Sequence, residues 1–106
     1  MTPPPPLRLI DGSEPGAPRA SSPEARSLII HAAKSGDVRA FASLVDLYYA
    51  RCLRFALHML TSRSDAEEAV QDTFVRVYGA LPRYREDVVF EAWLFRILAN
   101  RCRTAG

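Results

Sequence analysis

The sequence predicts an all-α fold, a compact bundle of about four helices, and three observations support this prediction. Apolar residues recur at helical spacing from Glu24 to the end of the chain. Capping residues and prolines divide this periodic region into separate segments. Strand-like alternation is confined to a weak run at residues 88–90. With 106 residues, the chain has room for a single compact domain, which we expect to span residues 24–106.

A proline-rich segment precedes this domain. Residues 1–23 contain seven of the eight prolines, beginning with four in a row from Pro3 to Pro6. Such a composition buries too little apolar surface to offset the entropy lost on ordering, so we expect a disordered, solvated tail. Four consecutive prolines are also typical of a polyproline II ligand, which is the alternative interpretation.

The first two predicted helices meet at Ser35 and Gly36. The first helix starts at Glu24, and Gly36 supplies a left-handed cap after it. Its apolar pattern consists of Leu28, Ile29, Ala32 and Ala33. Asp37 starts the second helix, which ends near Leu60 and has one buried face. That face comprises Phe41, Leu44, Val45, Tyr48, Tyr49, Cys52, Leu53, Ala56 and Leu57.

The third predicted helix starts at Ser64, which has capping-box spacing with Glu67, and continues until Pro82 forbids further helix. Its expected core stripe is Ala66, Val70, Thr73, Phe74, Val77 and Leu81. The opposite face is largely acidic and consists of Glu68, Gln71, Asp72, Val75, Arg76, Tyr78 and Gly79. An acidic face with an apolar centre at Val75 suits a basic partner helix, although a single exposed valine is also normal.

A linker of mixed charge, residues 83–89, leads into the fourth predicted helix, residues 90–103. Its expected core residues are Phe90, Leu94, Ile97 and Leu98. The outer face carries Ala92, Arg96, Ala99, Asn100 and Arg103, with Trp93 at its border. These side chains suit the binding of nucleic acid, because arginine contacts phosphate, an amide contacts a base edge and an indole stacks on a base. The alternative to nucleic-acid binding is that the arginines are simply solvated and the tryptophan belongs to the core. Arg101 points toward the core on the same helical wheel.

Several classes of function lack support in the sequence. Cys52 and Cys102 have no second Cys or His at metal-ligand spacing, so we expect free, partly buried thiols and neither a metal nor a cofactor. A redox pair of these two thiols is the other possibility. His31 and His58 lack catalytic partners, and no phosphate loop or nucleophile motif occurs, so we predict that the protein is not an enzyme.

The sequence also lacks a membrane signal. No apolar run is long enough to cross a bilayer, and prolines occupy the place where a signal peptide needs an apolar core. We therefore expect a cytoplasmic protein with no membrane contact of its own.

Three strings together resemble region 2 of the extracytoplasmic-function (ECF) sigma factors, which belong to the sigma-70 superfamily. They are GDVRAFASLVDLYYARCLRFALHML at residues 36–60, DAEEAVQDTFVRVYGAL at residues 65–81 and FEAWLFRILANRCR at residues 90–103. The resemblance covers about two-thirds of the chain. It implies a function in bacterial transcription initiation.

The resemblance also implies two binding surfaces. The helix at residues 65–81 would bind the β′ clamp helices of the RNA polymerase core, with Glu68, Gln71 and Asp72 at the matching contact positions. We add Val75, the apolar centre of the same face, to this polymerase-binding set. The following loop and the last helix would bind the non-template strand of the promoter minus-ten element, with Arg96, Asn100 and the loop holding a flipped-out base. The complete DNA-binding set is Arg83, Tyr84, Arg85, Trp93, Arg96, Asn100 and Arg103. A snug pocket and phosphate contacts offset the cost of unstacking the base.

The sequence departs from the family pattern at its end. Family members continue into a second helical domain that reads the minus-thirty-five element, whereas this sequence ends at Gly106. We therefore expect a fragment or a truncated gene product that does not recognise a complete promoter alone. The resemblance further implies regulation by an anti-sigma factor that covers the same surfaces. The alternative function is an interaction module that binds polymerase or an anti-sigma factor without melting DNA.

Overall fold

The computed structural model describes residues 22–105, which form four α-helices and contain no strand. The helices are α1 (Pro23–Lys34), α2 (Val38–Met59), α3 (Arg63–Ala80) and α4 (Phe90–Ala105), and a short 3-10 turn (Leu81–Arg83) follows α3. The predicted all-α bundle of four helices is confirmed. Residues 1–21 of the predicted tail (residues 1–23) lie outside the described residues. The last two residues of that segment are ordered, because Ser22 caps α1 and Pro23 is its first residue, so α1 begins one residue earlier than expected.

The turn between α1 and α2 follows the capping residues of the sequence. Gly36 has a φ of 105°, the left-handed conformation that the predicted cap requires and that glycine adopts without steric cost. The Asp37 carboxylate accepts hydrogen bonds from the backbone N–H groups of Arg39 at 3.0 Å and Ala40 at 3.2 Å. This short connection folds α1 back onto α2.

The start of α3 differs from the predicted capping box. Ser62 is the N-cap, and its side chain accepts a hydrogen bond from the backbone N–H of Asp65 at 3.2 Å. Ser64 is exposed in the first turn, and Glu67 binds Arg63 at 3.0 Å instead of a cap. The start at Ser62 is favoured over the start at Ser64, because it keeps a serine cap and also allows the ion pair between Arg63 and Glu67 at i, i+4 spacing. At its other end, α3 stops before Pro82, as expected, and a 3-10 turn that contains this proline follows.

The core lies between α2, α3 and α4, because α3 packs against both of the other helices. All six residues of the predicted α3 stripe are buried. The hydroxyl of Thr73, the buried polar member of this stripe, donates to the backbone carbonyl of Ala69 at 2.8 Å. α2 contributes Leu44, Tyr48, Cys52 and Ala56, and α4 contributes Phe90, Leu94, Leu98 and Cys102.

Two residues of the predicted apolar patterns are exposed. Leu28 is 70% exposed and Leu57 is also exposed. In α1 the buried positions are Ala25 and Ala33, with Ile29 packed between them, and these three residues lie four apart. Leu28 precedes Ile29 by one residue and is therefore rotated about 100° away from this stripe.

Candidate functional site

The outer face of α4 carries a strip of polar side chains. Arg96, Asn100 and Arg103 are exposed at the spacing of successive helical turns, and Trp93 lies half-buried at the beginning of the strip. The Arg103 guanidinium donates a hydrogen bond to the Asn100 Oδ1 atom, so these two side chains form one polar unit. From Trp93 to Asn100 the helix rises by about 10 Å. The arrangement is therefore an elongated surface and not an enclosed pocket.

Tyr84 lies in the core and not on the surface that the sequence predicted for it. Only 4% of the residue is exposed, and its ring lies against those of Trp93 and Phe90, with centroid distances of 4.6 and 5.6 Å. The phenol donates a hydrogen bond to the backbone carbonyl of Val88. Burial raises the pKa of Tyr84, and Glu86 and Asp87 raise it further. The aromatic ring thus supports the loop from inside, where it is not accessible to a base.

Trp93 is both a core residue and a residue at the border of the outer face, the two positions that the sequence left open. Its ring packs against Tyr84 and lies 5.7 Å from the Phe90 ring, so it extends the aromatic core under the loop. The residue nevertheless remains partly exposed at the border of the polar strip. It connects the loop to the outer face of α4.

The loop between the 3-10 turn and α4 is held by several polar contacts. Arg83 and Arg85 are exposed, and the Arg85 guanidinium lies 2.8 Å from an Asp87 carboxylate oxygen. Glu86 contacts α1, with 3.0 Å between its carboxylate and the His31 Nδ1 atom. A cavity of about 160 Å³ lies between α1 and the loop, lined by Ser27, Ile30, Tyr84, Glu86, Val88, Val89 and Phe90.

The contribution of α1 to the loop could not be predicted from the sequence. His31 and Glu86 are 55 residues apart, and neither belongs to a motif that indicates a contact. His31, which lacks catalytic partners in the sequence, is a surface residue that also anchors the loop. His58 is likewise exposed.

The outer face of α3 carries the four residues predicted to bind polymerase. Glu68, Gln71 and Val75 are exposed, and Val75 is 71% accessible. Asp72 is committed to an intramolecular ion pair, because its Oδ2 atom accepts hydrogen bonds from Arg101 Nε at 2.9 Å and Nη2 at 2.7 Å. This pair supplies a partner for the charge of Arg101, which the helical wheel directs toward the core. The Asp72 side chain still exposes 46% of its surface beside Glu68 and Gln71.

An apolar groove runs between α2 and α3 beside this face. Its α2 side consists of Val38, Phe41, Val45 and Tyr49. Its α3 side consists of Gln71, Phe74, Val75 and Tyr78. The groove encloses about 450 Å³. Gln71 and Val75 belong both to the groove and to the predicted polymerase-binding set, so the two surfaces are continuous.

A hydrogen-bonded cluster fixes the start of α4 against α2. The Tyr48 phenol donates to the Glu91 carboxylate at 3.0 Å, and Arg51 lies 3.5 Å from the same oxygen. Burial raises the pKa of Tyr48 to about 12, and the hydrogen bond and the charge of Glu91 act in the same direction. The Arg51 guanidinium also lies over the rings of Tyr48 and Phe95. These contacts orient the first turn of α4.

Both thiols are free, as predicted, and they are more deeply buried than expected. Burial raises the pKa of Cys52 to about 12, while Arg51 opposes and Cys102 reinforces this rise. Burial also raises the pKa of Cys102. The thiolate is the reactive form of cysteine, so both residues serve packing in this structure.

Other sites have no support in residues 22–105. This part of the chain contains no cluster of His, Cys, Asp and Glu side chains arranged to hold a metal ion. None of its helices has both the length and the apolar character needed to cross a membrane.

Comparison with known proteins identifies a family. Residues 44–105 match the family model for sigma-70 region 2. The chain is 39% identical over 83 residues to the RNA polymerase sigma factor CnrH of Cupriavidus metallidurans, an alignment that covers 77% of this chain and 44% of CnrH. It is 34% identical over 67 residues to the ECF RNA polymerase sigma factor SigW of Bacillus subtilis, covering 63% of this chain and 36% of SigW. The RNA polymerase sigma-H factor of Pseudomonas aeruginosa is 31% identical over 75 residues, an alignment that covers 71% of this chain and 39% of the sigma-H factor. The chain thus spans less than half the length of these relatives.

Proposed function

This chain belongs to the sigma-70 family, of which it carries region 2 in the form found in ECF sigma factors, and we propose that it docks on RNA polymerase and opens the promoter minus-ten element. Sigma factors are initiation factors and not enzymes, which agrees with the prediction from sequence. The proposed site of action is the cytoplasm, where the polymerase transcribes.

The main support for DNA binding is the exposed strip of Arg96, Asn100 and Arg103. Two guanidinium groups flank an amide on one helical face, which allows phosphate contacts on either side of a single base contact. A melted strand presents base edges that a duplex hides, and an amide binds such an edge through paired hydrogen bonds. The strip therefore suits single-stranded DNA better than duplex DNA.

Capture of an extruded base would keep the promoter open. Unstacking and unpairing one base costs a few kcal/mol, and contacts to the extruded base and its phosphates offset this cost. Arg83 and Arg85 supply positive charge at the loop, and the exposed part of Trp93 supplies a surface for stacking. Tyr84 takes the role of a buried support beneath the loop, in place of the direct contact expected from the sequence.

Docking on the polymerase would use the opposite side of α3 from the one that packs on α4. Glu68, Gln71 and Val75 offer an acidic and partly apolar surface, which suits the basic partner helix expected for the β′ clamp. The inner stripe of α3 lies against α4, and the Asp72–Arg101 pair connects the two helices. A partner bound to α3 would therefore fix the direction in which α4 presents its strip.

The continuous apolar groove favours a second candidate function. An exposed apolar surface beside an acidic face is typical of a protein-docking site. On this alternative, the chain binds polymerase or an anti-sigma factor through α2 and α3 and does not select DNA. The exposed arginines and Asn100 of α4 favour the DNA-binding function over this alternative.

A binding experiment separates the two candidates. The chain is incubated with a library of labelled single-stranded oligonucleotides that represent the non-template minus-ten element, at two salt concentrations, with and without a β′ clamp-helix fragment. We expect sequence-selective enrichment that weakens with salt, because the phosphate contacts are electrostatic. Binding of the clamp fragment without any enrichment would contradict DNA capture and support the docking module.

A further inference from the structure

The apolar groove has the features of a binding site for a proline-rich segment. Two pairs of aromatic rings bridge it, with centroid distances of 4.9 Å between Phe41 and Tyr78 and 6.5 Å between Tyr49 and Phe74. Grooves lined with aromatic rings bind polyproline II segments, whose preformed shape limits the entropy lost on binding. We propose that the four consecutive prolines of this same chain, Pro3 to Pro6, occupy the groove.

The dimensions of the groove match those of the proline run. On α2 the groove extends from Val38 to Tyr49, a rise of about 16 Å along the helix. A polyproline II segment rises about 3.1 Å per residue, so a segment of about five residues fills this length. Pro3 to Leu7 provide such a segment. Their side chains are uncharged, as are the eight residues that line the groove.

The proline run can also reach the groove within one molecule. Fifteen residues connect Pro6 to Ser22, the residue that caps α1. A chain of this length spans at most about 50 Å. The molecule measures 49 × 31 × 20 Å, so the connection is long enough to pass around its shorter dimensions. Attachment to the same chain gives the segment an effective concentration on the order of 1 mM, which favours even a weak contact.

Occupation of the groove would compete with a partner on α3. Gln71 and Val75 line the groove and also belong to the surface proposed to bind polymerase. A segment lying across them would shield both side chains. This consequence rests on the proposed function, whereas the contact between the proline run and the groove does not.

A spin label at Thr2→Cys tests the contact directly by nuclear magnetic resonance on the full chain. Cys52 and Cys102 are buried and do not compete for the label. We expect the methyl signals of Val38, Val45 and Val75 to be lost through paramagnetic broadening, and those of Val89, near the loop, to remain. Replacing all four prolines from Pro3 to Pro6 with serine should restore the lost signals.

Two further variants sharpen this test. Tyr78→Ala removes one ring of an aromatic pair at an exposed position, and the groove signals should then recover as well. The matched control, Pro15→Ser together with Pro18→Ser, changes prolines of the same segment outside the run and should leave the broadening intact. Broadening that persists when Pro3 to Pro6 are serine would overturn the proposal, as would an absence of broadening at the three valines.

A mixed sample distinguishes the two sources of the segment. A spin-labelled chain without isotope labels is combined with an isotope-labelled chain that carries no spin label. The groove signals should remain in this mixture if the segment binds within its own molecule. Their loss would show that the segment binds a second copy and would overturn the intramolecular contact.

The effect on the partner is measured separately. Replacing Pro3 to Pro6 with serine should increase the affinity for the β′ clamp-helix fragment about fivefold, as expected if a segment at an effective concentration near 1 mM occupies the groove most of the time. An unchanged affinity would overturn the competition. Because the spin-label experiment contains no polymerase, failure of the proposed function leaves its result unaffected.

Discussion

Asp72 and Arg101 bind each other across the interface between α3 and α4, and neither position is explained by its own helix. Asp72 lies too far along α3 to be accounted for by the helix dipole, and Arg101 points toward the core. The two hydrogen bonds to one carboxylate oxygen account for both positions. The sequence could indicate two unusual residues, but pairing them requires knowledge of which helices are neighbours.

Arg101→Ala should destabilise the protein by about 1–2 kcal/mol, because it removes charge-assisted hydrogen bonds and the packing of a mostly buried side chain. The Arg101 side chain is only 15% exposed. Arg103→Ala is the matched control, since it removes an exposed arginine two residues away. Surface changes of this kind usually cost less than about 0.5 kcal/mol. Urea unfolding measures both variants, and equal losses of stability would contradict the structural role of Arg101.

Tyr48 makes stability depend on alkaline pH. Its pKa is raised from 10.0 to about 12 in the folded protein, so the folded state keeps a proton that the unfolded chain loses first. The stabilising contribution is complete below pH 10 and is lost as the pH rises from 10 toward 12. The free energy of unfolding should therefore fall less steeply over this range in Tyr48→Phe than in the wild type. Both proteins keep Cys52, so its titration cancels in the comparison, and identical slopes would exclude Tyr48 as a source of the fall.

At the level of elements, the start of α3 shows that a local capping motif does not decide which serine is the N-cap. Ser62 and Ser64 are each followed three residues later by an acidic residue, Asp65 and Glu67 respectively. The capping-box rule selected Ser64, because glutamate follows it at the required spacing. The structure uses Ser62, and Arg63 and Glu67 then form a pair on the first turn.

Ser62→Ala should lower the free energy of unfolding by about 1 kcal/mol, because the backbone N–H of Asp65 loses its side-chain acceptor. Ser64→Ala should change it little, since Ser64 is exposed within the helix and alanine has the higher helix propensity. Thermal unfolding of the two variants under the same conditions makes the comparison. A larger loss for Ser64→Ala would place the cap where the sequence predicted it.

The sequence predicted a loop before α4, but it did not predict that the Tyr84 side chain is buried beneath this loop. Tyr84 lies between Arg83 and Arg85, which made a surface position the natural expectation. Its ring becomes buried because α4 brings Phe90 and Trp93 against it. A helical wheel describes residues within one helix, so it has no means of assigning an aromatic residue in a loop to a core built from the next helix.

At the level of the whole molecule, α3 separates two surfaces with different chemistry. One side of the helix packs against α4, and the other presents Glu68, Gln71 and Val75 to solvent. If the proposed function is correct, this separation lets a protein partner and a DNA strand bind at the same time. Helix periodicity predicted the four helices and five of the six buried residues of α3, all except Ala69. The apolar groove could not be predicted in this way, because its aromatic pairs join residues of two helices.

The proposed function assigns base reading to Asn100 and contact with the DNA backbone to Arg96. Asn100→Ala should reduce discrimination between a preferred oligonucleotide and a single-base variant by about 1–3 kcal/mol. Arg96→Ala should weaken binding to both oligonucleotides alike and lower the salt dependence of binding by about one counterion.

The most direct measurement is a set of equilibrium titrations of the wild type, Asn100→Ala and Arg96→Ala with a selected minus-ten oligonucleotide and its single-base variant. We predict that the ratio of the two dissociation constants collapses toward unity only for Asn100→Ala. An equal loss of affinity for both oligonucleotides with Asn100→Ala, and an unchanged ratio, would contradict base reading by α4.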